Sequence, residues 1–295
     1  MLTSLPDPQI VELEGDDALA FAQAQFASDI AALESGHWQW SAWLSAQGRV
    51  RGFFHLLRVT EKRFQIVLRG GSAVLLRDHL ARYIMRAKVQ LRVVAGARAY
   101  AAAETADLRQ VLQPPVGTRI AATDDSSCIA MPGEGQRWLL VVVPTSPPLI
   151  SDDSAHARAQ AALADIDSGI ATVDATLEDK LLPDWIGLRE LGAISVRKGC
   201  YPGQEVVARL HFKGGNKRWL HRIDFTAESL PTPGSWLPDE GENAALVICA
   251  APSGSRHGRA LVAAREDVDI DRLAANRTDI VIEKIERVRL DGQSV

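Results

Sequence analysis

The sequence predicts an α+β fold. Short strand-like runs and three helix-like segments are mixed over about the first 165 residues, in the order strand, helix, strand, strand and then further strands. From residue 219 onward the pattern contains short strands separated by turn signals, which predicts a small C-terminal β-barrel. The length of 295 residues exceeds one typical domain, so we expect two or three domains.

Individual elements follow from the spacing of apolar residues, which is about 2 in strands and about 3.6 in helices. Asp16 and Asp17 precede the first helix and Ser72 precedes the second, where side-chain oxygens can cap free N–H groups. Trp38 and Trp40 share one side of a strand, and we expect them in the core. The predicted strands are 10–15, 37–44, 51–59, 64–68, 89–94, 97–102, 120–122, 127–131, 138–143, 219–225, 235–236, 245–250, 259–264 and 280–289, and the predicted helices are 16–26, 72–85 and 152–164.

Charge is distributed unevenly along the chain. The net charge is −4, which argues against global attraction to nucleic acid or to an anionic membrane. Between Arg189 and Arg222, however, eight lysines and arginines face only Glu190 and Glu205, so this segment carries +6 and the remainder −10. A local basic face favours an anionic ligand or partner, although two separate solvated surfaces would give the same count.

The cysteines exclude several kinds of site. Cys128, Cys200 and Cys249 are far apart, and no Cys-x-x-Cys pair is present, so neither a zinc ribbon nor a disulfide framework is indicated. A cubane iron–sulfur cluster takes four thiolates, so we expect no metal to be held by this chain alone. Residues 1–9 lack the features of a signal peptide and no apolar run reaches membrane-spanning length, so we expect a cytoplasmic protein, without membrane contact and monomeric.

The densest chemistry lies in the segment from Arg197 to Arg209. Glycines and a proline around Cys200 predict a shaped loop, and a short helix is predicted to follow it. Arg197, Lys198 and the helix N-terminus would favour the thiolate, so we assign Cys200 and Lys198 the reactive roles. The remaining motif residues shape the loop or accept its hydrogen bonds: Gly199, Tyr201, Gly203, Gln204 and Glu205. The alternative is that Cys200 is a small buried hydrophobe.

This segment also carries a family resemblance. Lys-Gly-Cys-Tyr-x-Gly-Gln-Glu at 198–205, followed by Gly-Gly-Asn-Lys-Arg at 214–218, resembles the signature of the YgfZ-type proteins, which are folate-binding relatives of the glycine-cleavage T-protein, an aminomethyltransferase. The hairpin at 45–49 and the segment at 21–29 resemble further parts of the family pattern, the latter with Ala24 and Ala27 in place of glycine and threonine.

The resemblance implies a T-protein-like arrangement of three domains around a central folate cavity. Residues 1–45 and 165–215 would form a discontinuous folate-binding-type domain that carries the cysteine motif. Residues 46–164 would form an α+β middle domain, and residues 216–295 the β-barrel.

The resemblance also implies the ligand and the function. The cofactor would be tetrahydrofolate or a derivative, with Asp167, Gln25 and Arg218 as candidate contacts. Asp167 lies in the segment Ile166–Ile170, which is similar to the family's Glu-Ala-Gly segment near the pterin ring, and a carboxylate suits the paired donors of a pterin edge. The family is linked to the maintenance of iron–sulfur enzymes, so the expected partners are folate and iron–sulfur proteins, including tRNA-modifying enzymes, or their assembly factors.

Two other functions stay open from the sequence. The first is a folate-dependent aminomethyltransferase, although no residue can be placed as the aspartate that the T-protein uses. The second is an RNA-binding module that uses the basic residues after Cys200 together with Tyr201, Phe212 and Trp219. The acidic overall charge argues against direct tRNA binding. We therefore favour an accessory protein over an enzyme.

Overall fold

The structure is a computed structural model, and it describes residues 1–103, 108, 113–123, 125–239, 242–269, 272–273 and 279–290. The strands are β1 (Leu2–Leu5), β2 (Ile10–Glu14), β3 (His37–Leu44), β4 (Val50–Thr60), β5 (Arg63–Leu68), β6 (Gln90–Val93), β7 (Arg98–Ala102), β8 (Ile120–Ala122), β9 (Ser126–Met131), β10 (Arg137–Val142), β11 (Ser151–Asp152), β12 (Trp219–Ala227), β13 (Trp236–Asp239), β14 (Glu242–Pro252), β15 (His257–Ala264) and β16 (Ile280–Arg287). The helices are α1 (Ala18–Gln25), α2 (Ala73–Ala81), α3 (Ala155–Asp167) and α4 (Gln204–Lys213), with short 3₁₀ turns at Ala175–Leu177 and Pro183–Ile186. The predicted α+β class is therefore confirmed.

The strands form three sheets. An N-terminal sheet has the order β3-β4-β5-β2-β6, a central sheet the order β11-β1-β7-β10-β9-β8, and a C-terminal sheet the order β13-β14-β15-β12-β16. All neighbours pair antiparallel except β1 and β11, which pair parallel. In the described residues β13 and β16 do not pair with each other, so the predicted C-terminal barrel is seen as an open five-stranded sheet.

The predicted domain boundary after residue 45 falls in the turn between β3 and β4. These two strands pair along most of their length, so residues on both sides of the boundary contribute to one sheet. The division into three domains stays a prediction.

The N-terminal sheet has apolar residues on both faces. Phe54 and Leu56 of β4 pack under α1 and α2, whereas Phe53 and Leu57 point to the opposite face and join the largest core cluster. This is the alternation that the period of two predicts for a strand. Trp38 and Trp40 lie in the largest cluster at 1% and 4% exposure, which confirms that they are core residues.

His55 lies in the same part of the core. Its ring centroid is 4.2 Å from that of Trp40, and the side chain is fully buried. Burial, together with the nearby Arg69, lowers the pKa of His55 to about 3. The imidazole is therefore neutral near neutral pH and acts as a packing group of the tryptophan cluster.

The helix ends differ from the predicted ones for local reasons. The side chain of Ser72 caps α2, as expected, but Asp17 accepts a hydrogen bond from the backbone N–H of Lys88 at 2.7 Å and leaves α1 without a side-chain cap. The turn after Ala81 tightens into i→i+3 bonds, which ends α2 before residue 85. Helix α3 continues to Asp167 and is stopped by Gly169 at φ +71°.

Partly buried ion pairs join the N-terminal and central sheets through α3. Arg69 follows β5, and its Nη2 lies 2.6 Å from Oδ2 of Asp165 in the last turn of α3. Arg137 at the start of β10 pairs with the other carboxylate oxygen and donates to the carbonyl of Ala164 at 3.0 Å. Burial opposes ionisation of Asp165, but the two arginines outweigh burial and hold the pKa of its carboxyl below the ordinary value.

None of the helices in the described residues combines the length and the apolar composition that a membrane crossing requires.

We expect Asp165→Asn to lower the free energy of unfolding by about 2–4 kcal/mol, because it leaves two largely buried guanidinium groups without their anion. The matched control is Asp78→Asn, which removes an exposed pair with Arg77 and should cost less than about 1 kcal/mol. Urea denaturation followed by fluorescence measures both changes. Equal losses in the two variants would contradict the assigned role of Asp165.

Candidate functional site

The cysteine loop, residues 195–203, lies between the end of α1 and the start of α4. The backbone N–H of Ser195 donates to the carbonyl of Ala27 at 2.8 Å, which attaches the loop to the segment after α1. Within the loop Cys200 is exposed, whereas Tyr201, the next residue, is buried at 6% exposure. A β-carbon added at Gly199 would meet no atom within 4 Å, so the apex of the loop faces open space.

Hydrogen bonds from both sides hold the base of this loop. The hydroxyl oxygen of Ser195 accepts from the backbone N–H groups of Arg197 and Lys198, both at 3.3 Å. The hydroxyl of Tyr201 donates to the carbonyl of Ser195 at 2.9 Å, and the Gln204 amide donates to the carbonyl of Lys198 at 3.0 Å. The thiol is therefore carried on a braced loop, and Gln204 contributes to the bracing as a donor.

Lys198 points away from solvent and is 8% exposed. Its Nζ donates to the carbonyls of Gln23 and Phe26, both at 2.6 Å, and of Ser28 at 2.8 Å. These bonds use all three donors of the ammonium group and satisfy carbonyls at the C-terminal end of α1, where a cation is favoured. Burial lowers the pKa of Lys198 to about 8. The contacts are structural ones, and a chemical role of Lys198 beside the thiol stays a prediction.

Two glycines bring the β3–β4 turn against the start of α4. Gly203 is the N-cap residue of α4 at φ +81°, and a β-carbon there would lie 2.5 Å from the carbonyl oxygen of Ser45. Gly48 has φ +69°, and a β-carbon there would lie 2.9 Å from the β-carbon of Val206. The hairpin motif and the cysteine motif of the sequence thus meet at a close backbone approach.

The other two cysteines have different surroundings. Cys128 of β9 is buried and Cys249 of β14 is partly buried. Burial raises the pKa of both thiols, that of Cys128 to about 12. Of the three thiols, Cys200 alone is exposed.

A cavity of about 940 Å³ lies between the β9–β10 hairpin, the C-terminal end of α3 and the C-terminal sheet. Asp167 lines it. The Asp167 carboxylate accepts hydrogen bonds from Nη1 of Arg259 at 2.8 and 3.0 Å and from Nη1 of Arg222 at 3.5 Å. Trp138 also lines the cavity at 5% exposure, and its indole N–H donates to the carbonyl of Pro115 at 3.1 Å. The charged lining residues are Glu134, Arg137, Asp167, Arg222, Asp224, Arg259 and Lys284, which sum to +1.

The predicted folate contacts are not all brought together. Asp167 lines the cavity, but Gln25 and Arg218 do not. The guanidinium of Arg218 donates to the backbone carbonyls of Asn243 and Ala244 and lies 4.7 Å from the ring centroid of Trp236. Arg218 therefore fastens the start of β12 to β14.

The sequence did not single out Arg259 and Lys284 as cavity residues. Both stand directly opposite Asp224, on the strands that flank β12, so the three side chains form a row across the sheet. The alternation in β12 places Arg222 and Asp224 on one face, but only the pairing register brings the other two strands to this row.

No three histidine, cysteine or acidic side chains lie close enough together to hold a metal ion in the part of the chain that the structure describes.

We expect Lys198→Met to lower the free energy of unfolding by about 1–3 kcal/mol, because three carbonyls, two of them in buried contacts, lose their donor while the aliphatic stem is kept. Lys213→Met is the matched control, since Lys213 is exposed on the neighbouring helix, and it should change stability by less than about 0.5 kcal/mol. Hydrogen exchange of residues 195–203 should rise in Lys198→Met alone. Unchanged exchange there would contradict the clamp.

Relatives of this chain align with nearly its whole length. The chain is 29% identical over 305 aligned positions to the tRNA-modifying protein YgfZ of Edwardsiella ictaluri, and the alignment spans 99% of this chain and 89% of that protein. It is 28% identical to the tRNA-modifying protein YgfZ of Klebsiella pneumoniae, spanning 100% of this chain and 90% of that protein. No family model matches the chain.

A solved structure shares the fold. The glycine cleavage system aminomethyltransferase T of Bartonella henselae superposes with a TM-score of 0.61, covering 90% of this chain and 78% of that one, at 15% sequence identity. The likeness at this identity concerns the fold. The sequence-based resemblance to YgfZ-type proteins, and through the fold to the glycine-cleavage T-protein, is thereby confirmed.

Proposed function

We propose that this protein binds tetrahydrofolate in the 940 Å³ cavity and supports iron–sulfur proteins through the exposed thiol of Cys200. The observation that carries the proposal is that one chain contains both a ligand-sized cavity and an ordered loop with an exposed thiol. One is a cavity with the carboxylate of Asp167 fixed in its wall, and the other is a braced loop that presents a single exposed thiol.

The chemistry of the cavity fits a folate. A pterin edge presents adjacent N–H donors, which the Asp167 carboxylate can accept, and Arg259 keeps this carboxylate oriented. The glutamyl tail of folate carries carboxylates, and Arg222 and Lys284, which share Glu286 as an ion-pair partner, supply cations on the same wall. Trp138, which lines the cavity at 5% exposure, supplies an apolar contact for the ring system. Such a site is concave, with few and precisely placed polar groups, as small-molecule sites are.

The chemistry of the loop limits what the thiol can do. One thiol can accept a persulfide, share a metal cluster with thiolates of a partner, or form a mixed disulfide, but it cannot cage a cluster by itself. Because Gly199 and Cys200 are exposed at the apex, a partner protein can reach the sulfur. The name that the relatives carry, tRNA-modifying protein, supports a role connected with tRNA modification, and we place iron–sulfur tRNA-modifying enzymes among the clients.

We expect tetrahydrofolate to quench tryptophan fluorescence saturably, because Trp138 lines the cavity. Asp167→Ala should weaken binding by about 10-fold or more, since it removes a charged acceptor from the pterin edge. Asp153→Asn, whose carboxylate contacts Ser151 outside the cavity, is the matched control and should leave the dissociation constant unchanged. Trp138→Phe should reduce the amplitude of quenching more than the affinity.

One outcome of this titration and one outcome of an activity assay would change the proposal. Equal affinity in Asp167→Ala and in the wild-type protein would remove Asp167 from the site. Turnover of methylene-tetrahydrofolate with an amine acceptor would support a folate-dependent aminomethyltransferase instead of an accessory protein.

We expect Cys200→Ser to abolish the support of iron–sulfur enzyme activity in a deletion strain while leaving thermal stability and folate affinity nearly unchanged. Serine preserves the size of the side chain on an exposed apex but is a poor soft-metal ligand and is not ionised near neutral pH. The control is Cys249→Ser, which removes a partly buried thiol. Full complementation by Cys200→Ser would defeat the proposed role of the loop.

A further inference from the structure

A second feature of the cysteine motif is the charge on α4 and its flanks. Arg197, Arg209, Lys213 and Lys217 are exposed, and none of the four has an acidic partner within the described residues. This differs from the cations of the C-terminal sheet, where Arg222 pairs with Glu286 at 2.7 Å. The four cations lie within a stretch of 21 residues that begins three residues before the thiol.

The outer side of α4 also carries an aromatic residue without cover. Phe212 is 73% exposed, and its ring contacts the ring of His211 at 4.7 Å between centroids. In an α-helix, residues three and four apart share a face, so Phe212 and Lys213 lie on the same side as Arg209. Only Val207 of this helix is fully buried. The face therefore combines an apolar anchor with the cations Arg209 and Lys213, and Glu205 is the only acidic residue on the helix.

We propose that this face of α4 is a docking surface for an acidic face of a partner protein, which it positions so that the partner's sulfur reaches Cys200. The inference rests on the proposed function of the thiol. The helix is about 15 Å long at 1.5 Å per residue, so one protein surface can cover α4 and the loop apex together. Cations at the rim of such a contact act mainly on the rate of encounter, and Phe212 provides the buried centre.

A protein fits this surface better than a nucleic acid does. The chain outside residues 189–222 carries −10, which repels a long polyanion that extends beyond the patch. A compact acidic face can contact α4 alone. A thiol at one end of the surface also requires a partner with a reacting sulfur or metal, which a folded protein supplies.

The test is the rate of mixed-disulfide formation at Cys200 with a synthetic probe. The probe is a short cysteine peptide activated as a thiopyridyl disulfide, made in a glutamate-rich and a matched glutamine-rich version. The Cys200 sulfur attacks the peptide sulfur, and thiopyridone leaves and is followed by its absorbance. At low ionic strength the glutamate-rich peptide should react about 10-fold faster than the glutamine-rich one, and high salt should remove the difference.

Two charge-reversed variants locate the effect. The first is a triple variant, which combines Arg209→Glu, Lys213→Glu and Lys217→Glu and keeps Arg197 beside the thiol. This variant should lose the preference for the glutamate-rich peptide. The second variant is the control, and it replaces Arg82, Arg86 and Lys88 by glutamate. These residues are exposed after α2, and this variant should keep the preference. Equal loss in both variants, or no preference in the wild-type protein, would overturn the proposal.

Further measurements separate the other outcomes. If unmodified tRNA binds the wild-type protein, loses this binding in the α4 variant and blocks the peptide reaction, the surface is an RNA site and the proposal is wrong. If the α4 variant supports iron–sulfur enzymes fully while Cys200→Ser does not, the docking surface fails and the proposed function stands. If Cys200→Ser also complements fully, the proposed function itself fails.

Discussion

The carboxylate of Asp165 is the contact on which the arrangement of the sheets depends. It receives Arg69 from the end of β5 and Arg137 from the start of β10, so one residue of α3 holds the N-terminal and central sheets together. Two residues later the same helix places Asp167 in the wall of the large cavity. A buried charge with two partners fixes position more strictly than apolar packing does, because each displaced partner would be left unpaired. The cavity thus inherits its geometry from this ion-pair cluster.

A second buried charge sets the cysteine loop. Lys198 is adjacent in sequence to the exposed part of the motif, yet its ammonium is enclosed by carbonyls at the end of α1. Gly48 in the β3–β4 turn and Gly203 at the start of α4 lack the side chains that would separate this turn from the helix. These contacts fix the base of the loop while Cys200 at its apex remains exposed. Geometry thereby explains Lys198 and Gly203 of the motif, whereas the exposed thiol needs an explanation from chemistry.

The sequence predicted local structure better than it predicted contacts across the chain. Phe53 and Phe54 alternate as the period of two in the predicted strand 51–59 requires, and α4 follows the cysteine loop as the sequence predicts. The direction of Lys198 and of Arg218 was not, because a cation in a basic stretch gives no sign of whether its partner is solvent or a distant carbonyl. The row formed by Arg259, Asp224 and Lys284 depends on strand register, which one sequence does not contain.

The cavity and the thiol belong to different parts of this frame. The cavity is lined by the central and C-terminal sheets and by α3, whereas the loop is braced by α1, the β3–β4 turn and α4. No residue from 195 to 203 lines the cavity, so a folate bound there as proposed would not share one reaction chamber with the Cys200 sulfur. Folate would then affect the loop only by binding more tightly to one arrangement of the sheets and helices that hold both sites. The difference in binding free energy between arrangements is the coupling free energy between the two sites. An accessory role, in which folate occupancy sets how the thiol is presented, is compatible with this layout.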